Sequence, residues 1–200
     1  QANHIPFLRI LKGPCFKPKW CGIEKVLFFE AIFMANSRAM QEIIFQSPTY
    51  GVLSFEGVMD RIAGYVKEYP RDEYKVVVGT DSASADPTRL VTAITVWRKG
   101  KGGIFFWTKS KEHSYHTLRD RIIAEAVASI TLGQEVRSRL RDILGNEFFW
   151  DGNEIHADVG RNGLTRDIVD AIAGMIKGYD FEPVIKPYAF GAFVIADRMT

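Results

Sequence analysis

Six residues, Arg98-Lys99-Gly100-Lys101-Gly102-Gly103, separate two runs of mainly β-branched and aromatic side chains, Leu90–Trp97 and Ile104–Thr108. Glycine at that density supplies the positive φ angles of a tight reversal, so the runs are predicted to pair as an antiparallel hairpin. A third run, Tyr74–Thr80, precedes them and extends the hairpin to a three-stranded meander. After Thr108 the apolar period changes. A long helix is predicted from about Thr117 to Leu144, then a strand at Glu154–Asp158 and a helix from Thr165 to Ile176. A strand at Phe181–Lys186 and a final helix at Tyr188–Arg198 follow. Three antiparallel strands followed by alternating helix and strand restrict the chain to an α/β fold. The expected sheet is mixed and five-stranded, antiparallel first and parallel afterwards, with helices packed on it.

Upstream, Ser47-Pro48-Thr49-Tyr50-Gly51 reads as a turn cluster. Ser54 is placed to cap a helix through about Lys67, with Phe55, Val58, Met59, Ile62 and Val66 at helical spacing and Pro70 closing it. Residues 1–44 differ: Pro6, Pro14, Pro18, Gly13 and Gly22 interrupt any period. They are expected to be a poorly defined N-terminal extension to a domain spanning 45–200.

Composition narrows the function classes. The chain is 46% hydrophobic and 25% charged, with a net charge of +2, which is ordinary for a globular protein. Charge is uneven, however. Residues 1–44 hold six Lys/Arg against three acids, and the rest is near neutral with its bases clustered at Arg98–Lys101, Lys109–Lys111, Arg119–Arg121 and Arg137–Arg141. Cys15 and Cys21 are the only cysteines, and C-x5-C fits no zinc pattern. The lack of a disulfide framework points to the cytoplasm. No stretch has the length and apolarity of a bilayer span, and no export signal is read.

Four acids stand where a charge is costly. Asp81 ends the apolar run Val76–Thr80, and Asp158 ends Ile155–Ala157. Leu118, Ile122, Ala126, Ser129, Gly133, Val136 and Leu140 define one face of the long helix, and at about 100° per residue Glu125 projects within that face. Asp197 falls on the next step of the stripe Phe190–Phe193–Val194. Each has a bland alternative: turn residues for Asp81 and Asp158, an ion pair with Arg121 for Glu125, escape to solvent for Asp197. Unpaired buried carboxylates are costly, so four of them together suggest one shared site for a divalent cation. His156 shares the parity of Asp158 and reads as a satisfied structural histidine.

Phe45-Gln46-Ser47-Pro48-Thr49-Tyr50-Gly51, Val78-Gly79-Thr80-Asp81-Ser82, Ile155-His156-Ala157-Asp158-Val159-Gly160 and Ala196-Asp197-Arg198 resemble the YkuK-like bacterial proteins of the ribonuclease H-like superfamily. The resemblance covers Phe45 to the end. It implies a ribonuclease H-like fold and a nuclease that cleaves phosphodiesters of RNA or DNA with two Mg2+ or Mn2+ ions. It further implies that Asp81 bridges both ions, with Glu125 and Asp158 on one side and Asp197 on the other. Met199 departs from the polar or imidazole side chain expected after Asp-Arg. Two rivals compete. Asp158-Val159-Gly160 followed by a helix resembles the phosphate loop of actin-like kinases, which need a second such domain. A non-catalytic module binding nucleic acid or a partner could use Phe105, Phe106 and Trp107 as a stacking platform, although alternation divides those rings between two faces.

Overall fold

The structure is a computed structural model, and it describes residues 42–145, 153–163 and 165–189. Its elements are β1 (Ile44–Ser47), β2 (Gly51–Ser54), α1 (Phe55–Glu68), β3 (Tyr74–Ser82), β4 (Leu90–Arg98) and β5 (Gly102–Lys109). They continue with α2 (Leu118–Leu144), β6 (Asn153–Ala157), a 3-10 turn (Arg166–Ile168), α3 (Val169–Gly178) and β7 (Glu182–Ile185). The strands form one sheet in the order β2-β1-β5-β4-β3-β6-β7. β3, β4 and β5 are the antiparallel meander expected from the glycine-rich turn. β6 and β7 then join β3 in parallel.

Local chemistry fixes the helix starts. Ser54 Oγ accepts the Gly57 N–H at 3.2 Å, and Thr117 Oγ1 accepts the Asp120 N–H at 3.1 Å. Gly145, at φ 87°, ends α2. Strand alternation sends Val76, Val78, Ile94, Val96, Phe106 and Ile155 to one face, where they share a core with Met59 and Ile62 of α1, Leu140 of α2 and Ile172 of α3. Phe105 and Trp107 lie on the other face with Val91 and Ala93. Their rings are 5.9 Å apart, separated from Phe106 by the alternation anticipated. Gly133 of α2 passes so close to the sheet that a Cβ there would lie 3.0 Å from Ile155 Cδ1 and 3.1 Å from Phe181 Cζ.

Among the described residues the sheet has seven strands rather than five. The Ser47–Gly51 turn is real, but it closes a hairpin whose four-residue arms are β1 and β2, and Gln46 pairs with Trp107 to attach it to β5. Arms this short, with Ile44 54% and Val52 69% exposed, carry no readable period. Phe45 is wholly buried, and Ile43 packs against the core. Leu118, assigned to the buried face of α2, is 38% exposed in the first turn. α3 starts at Val169, later than expected. The Thr165 hydroxyl accepts the Gly160 N–H at 3.0 Å and so closes the preceding loop instead of capping a helix. The predicted helix at 188–198 lies outside the described residues beyond Ala189.

Candidate active site

The parallel register of β3 and β6 sets Thr80 beside Ala157, which brings the next residues, Asp81 and Asp158, to adjacent positions at the carboxyl edge of the sheet. Such edges are where ligands gather in α/β folds. Alternation directs Thr80 and Ser82 to the helix-bearing face and Asp81 to the opposite one.

On the helix side, hydroxyls pin α2 to the sheet. Thr80 Oγ1 lies 3.0 Å from Thr92 Oγ1 and 2.8 Å from Ser129 Oγ, which is itself 3.0 Å from the Glu125 carbonyl oxygen. Ser82 Oγ donates to Glu125 Oε1 at 2.6 Å. Glu125 is 9% exposed, so it lies on the sheet-facing side of its helix as its angular position required. Arg121 approaches within 3.9 Å of Glu125 Oε1 but donates its Nη1 hydrogen to the Ala83 carbonyl at 3.0 Å. It anchors the β3–β4 loop more than it neutralises the acid. Burial therefore prevails and raises the Glu125 pKa to about 7. The charges of Asp81 and Asp158 push the same way, against the Ser82 hydrogen bond and Arg121.

Lys186 Nζ lies 2.9 Å from Asp158 Oδ1 and forms an ion pair with it. A cavity of about 10 Å³, bordered by Thr80, Glu125, Ser129, His156 and Asp158, has room for roughly one water. His156 is fully buried with Nε2 3.0 Å from Glu154 Oε2, and Lys75 Nζ holds the other Glu154 oxygen at 2.6 Å. Burial depresses its imidazole pKa, the behaviour of a structural histidine. Burial, with a smaller contribution from the charge of Glu125, raises the phenol pKa of Tyr115.

The charges of Asp81 and Asp158 thus both act on Glu125, although alternation sends the Asp81 side chain to the face of the sheet opposite α2. Asp197 lies outside the described residues. Among the described residues no three His, Cys, Asp or Glu side chains stand close enough to hold a metal ion. The donor chemistry nevertheless fits a hard divalent cation. The acids are all oxygen ligands, and Glu125 is destabilised as an anion by burial and by the charges of Asp81 and Asp158.

Sequence reasoning missed Ser82, Lys186 and Tyr115. Ser82 was accessible in principle, being two residues beyond Thr80 on the same strand face. The contacts of Lys186 and Tyr115 depend on loop paths that no periodicity encodes.

Comparison with known proteins agrees with this architecture. The model of the family described as Ribonuclease H-like matches residues 57–200. The protein YkuK of Bacillus subtilis (strain 168), described as uncharacterized, is 32% identical over 169 residues, covering 78% of this chain and 96% of its own. No solved structure matches. A meander continued by two parallel strands, a long helix crossing them and a likeness to YkuK over most of the chain lead to one assignment: the chain belongs to the ribonuclease H-like family, on its YkuK-like branch.

Proposed function

We propose that this protein is a nuclease that hydrolyses phosphodiester bonds of RNA or DNA with Mg2+ or Mn2+. The observation that carries the reading is Glu125, a buried carboxylate whose pKa is raised to about 7 by burial and by Asp81 and Asp158. Carboxylates kept in mutual repulsion are stabilised by a cation. Asp81, Glu125 and Asp158 would hold it, joined by Asp197 from the C-terminal segment. When bound, a pair of such ions supplies a water acidified for attack and charge stabilisation for the leaving oxygen. The chain's own residues do the positioning. Ser82 fixes one oxygen of Glu125, Arg121 ties the adjoining loop to α2, and the Thr92–Thr80–Ser129 hydroxyls hold the helix at its height above the strands. The packed domain is read as reaching back to about Ile43, which packs against the core. The fold and the absence of a disulfide framework fit a cytoplasmic protein, and no helix among the described residues is long and apolar enough to cross a membrane.

The test is cleavage of labelled RNA–DNA hybrid, duplex DNA, branched DNA and single-stranded RNA, with Mg2+ or Mn2+ and with chelator. Cation-dependent cleavage that disappears in Asp81→Asn is expected. Asp197→Asn should lose activity in Mg2+ and regain part of it in Mn2+, a less demanding ion. No cleavage of any substrate by folded protein would favour a second reading, a non-catalytic ribonuclease H-like module binding nucleic acid or a partner. The lack of a preassembled three-ligand cage among the described residues speaks for that alternative.

A further inference from the structure

The register that places Asp81 opposite Val91 on β4 places Val91 opposite Lys109 on β5. Directly paired residues share a face, so Asp81, Val91 and Lys109 form a row across three strands. Two strand spacings put the Lys109 backbone about 10 Å from that of Asp81. Val91 and Lys109 also line a groove of about 280 Å³, with Ala83, Pro87, Thr88, Arg89 and Glu112 among its other walls. Its frame is rigid: Thr88 and His113 exchange backbone hydrogen bonds at 3.0 and 2.8 Å, clamping the β3–β4 loop to the segment that leads from β5 to α2.

Charge distinguishes the two ends of the sheet. At the end away from Asp81, Lys99 pairs with Glu73 at 2.7 Å, and Lys101 and Arg98 share Asp72 at 2.9 and 3.3 Å. At the end that carries the site, Lys109, Lys111 and Arg119 are exposed and have no ion-pair partner among the described residues. The acids nearby are Glu112, held by Arg89 at 3.1 Å, Asp120, bonded to Thr117, and Asp86 on the loop. The same segment presents two rings, with His113 edge-on to Tyr115 at 4.9 Å between centroids.

We infer that this groove is the entry track for a single-stranded nucleic acid, with Lys109, Lys111 and Arg119 meeting its phosphates and Tyr115 stacking a base next to the acidic site. The inference rests on the nuclease reading of that site and narrows its substrate. Unpaired cations beside aromatic rings are the sequence-tolerant means of holding one strand. Lys109 is set to bind the strand a short distance from the reacting phosphate, so it positions and does not catalyse.

The test is binding of fluorescent single-stranded and duplex oligonucleotides by the full chain in chelator, over a range of salt concentrations. Single strands should bind more tightly than duplex. Each lost phosphate contact lowers the slope of log affinity against log salt by about 0.7 for a single strand, so Lys109→Ala/Lys111→Ala should lower it by about 1.4. Tyr115→Leu should weaken binding with the slope unchanged, and Lys99→Ala/Lys101→Ala at the far end should change neither. Unaltered melting temperatures in the exposed lysine variants confirm folding. Wild-type affinity and slope in Lys109→Ala/Lys111→Ala, or preference for duplex, would overturn the track. Because binding is read without metal, the track can fail while cation-dependent cleavage persists, and cleavage can fail while the lysine dependence persists.

Discussion

Glu125→Gln gives the most direct measure of the acidic site, because it removes the charge and leaves a carbonyl oxygen to accept the Ser82 hydrogen bond. The Glu125 pKa is about 7 in the fold against 4.5 for the free group. That difference of about 2.5, at 1.36 kcal/mol for each pKa unit, corresponds to about 3 kcal/mol. The sign follows from the direction. A carboxyl whose pKa is raised on folding binds its proton more tightly in the folded state. Its contribution to stability is complete below about pH 4.5 and is lost as pH rises through 7. Wild-type protein should therefore lose about 3 kcal/mol from this group between pH 4.5 and 8, and the Gln variant should not. At about 2–4 °C per kcal/mol for a domain of this size, the variant should melt roughly 6–12 °C above wild type at pH 8 and converge with it near pH 5. The assay is thermal unfolding of both proteins from pH 5 to 8.5 in chelator. Other titrations, including that of the buried His156, largely cancel in the difference. Parallel curves would show that Glu125 is not destabilised by its surroundings, and the proposed cation site would lose its main support.

Millimolar Mg2+ or Mn2+ should raise the melting temperature of the wild type at pH 8 by relieving the same repulsion, and the rise should shrink in Asp81→Asn; equal shifts in both would remove Asp81 from the site. A chain beginning at Ala39 should unfold cooperatively, whereas one beginning at Gln46 loses the buried Phe45 and should be less stable by about 3–5 kcal/mol in urea titrations. Ile94→Ala, at a fully buried position in the middle of β4, should cost about 2–5 kcal/mol, and a change under 1 kcal/mol would contradict its packing.

The legible parts of the sequence were those with a long period or strong punctuation. The glycine-rich turn after Arg98 announced the β4–β5 hairpin, and 27 residues of helical spacing announced α2. The burial of Glu125 followed from its angle on that helix. β1 and β2 were not legible, because four residues hold too few alternations to distinguish a strand from a turn flank, and their pairing depends on β5, sixty residues away. Leu118 misled because an apolar residue in a first helical turn can reach solvent past the end of the core. The proximity of Asp81 and Asp158 was foreseeable only as a tendency of strand ends. The register that makes them neighbours is tertiary, and so are the approaches of Lys186 and Tyr115.

Gly133 acts on the site from a distance. It lies eight residues from Glu125, about 12 Å along α2, where the helix comes closest to Ile155 and Phe181. Its missing side chain works as an absent shim where the helix meets the strands. At the other end of that lever, Glu125 reaches Ser82 over only 2.6 Å, a contact with little slack. A single methyl group at position 133 would wedge against two well-packed side chains, and a stiff core passes the displacement along the helix. The tuning of the carboxyl group is thus set partly by a residue that touches neither a proton nor a phosphate. Gly133→Ala should therefore alter the pH dependence of stability that Glu125 confers, read by thermal unfolding from pH 5 to 8.5, in protein that still folds.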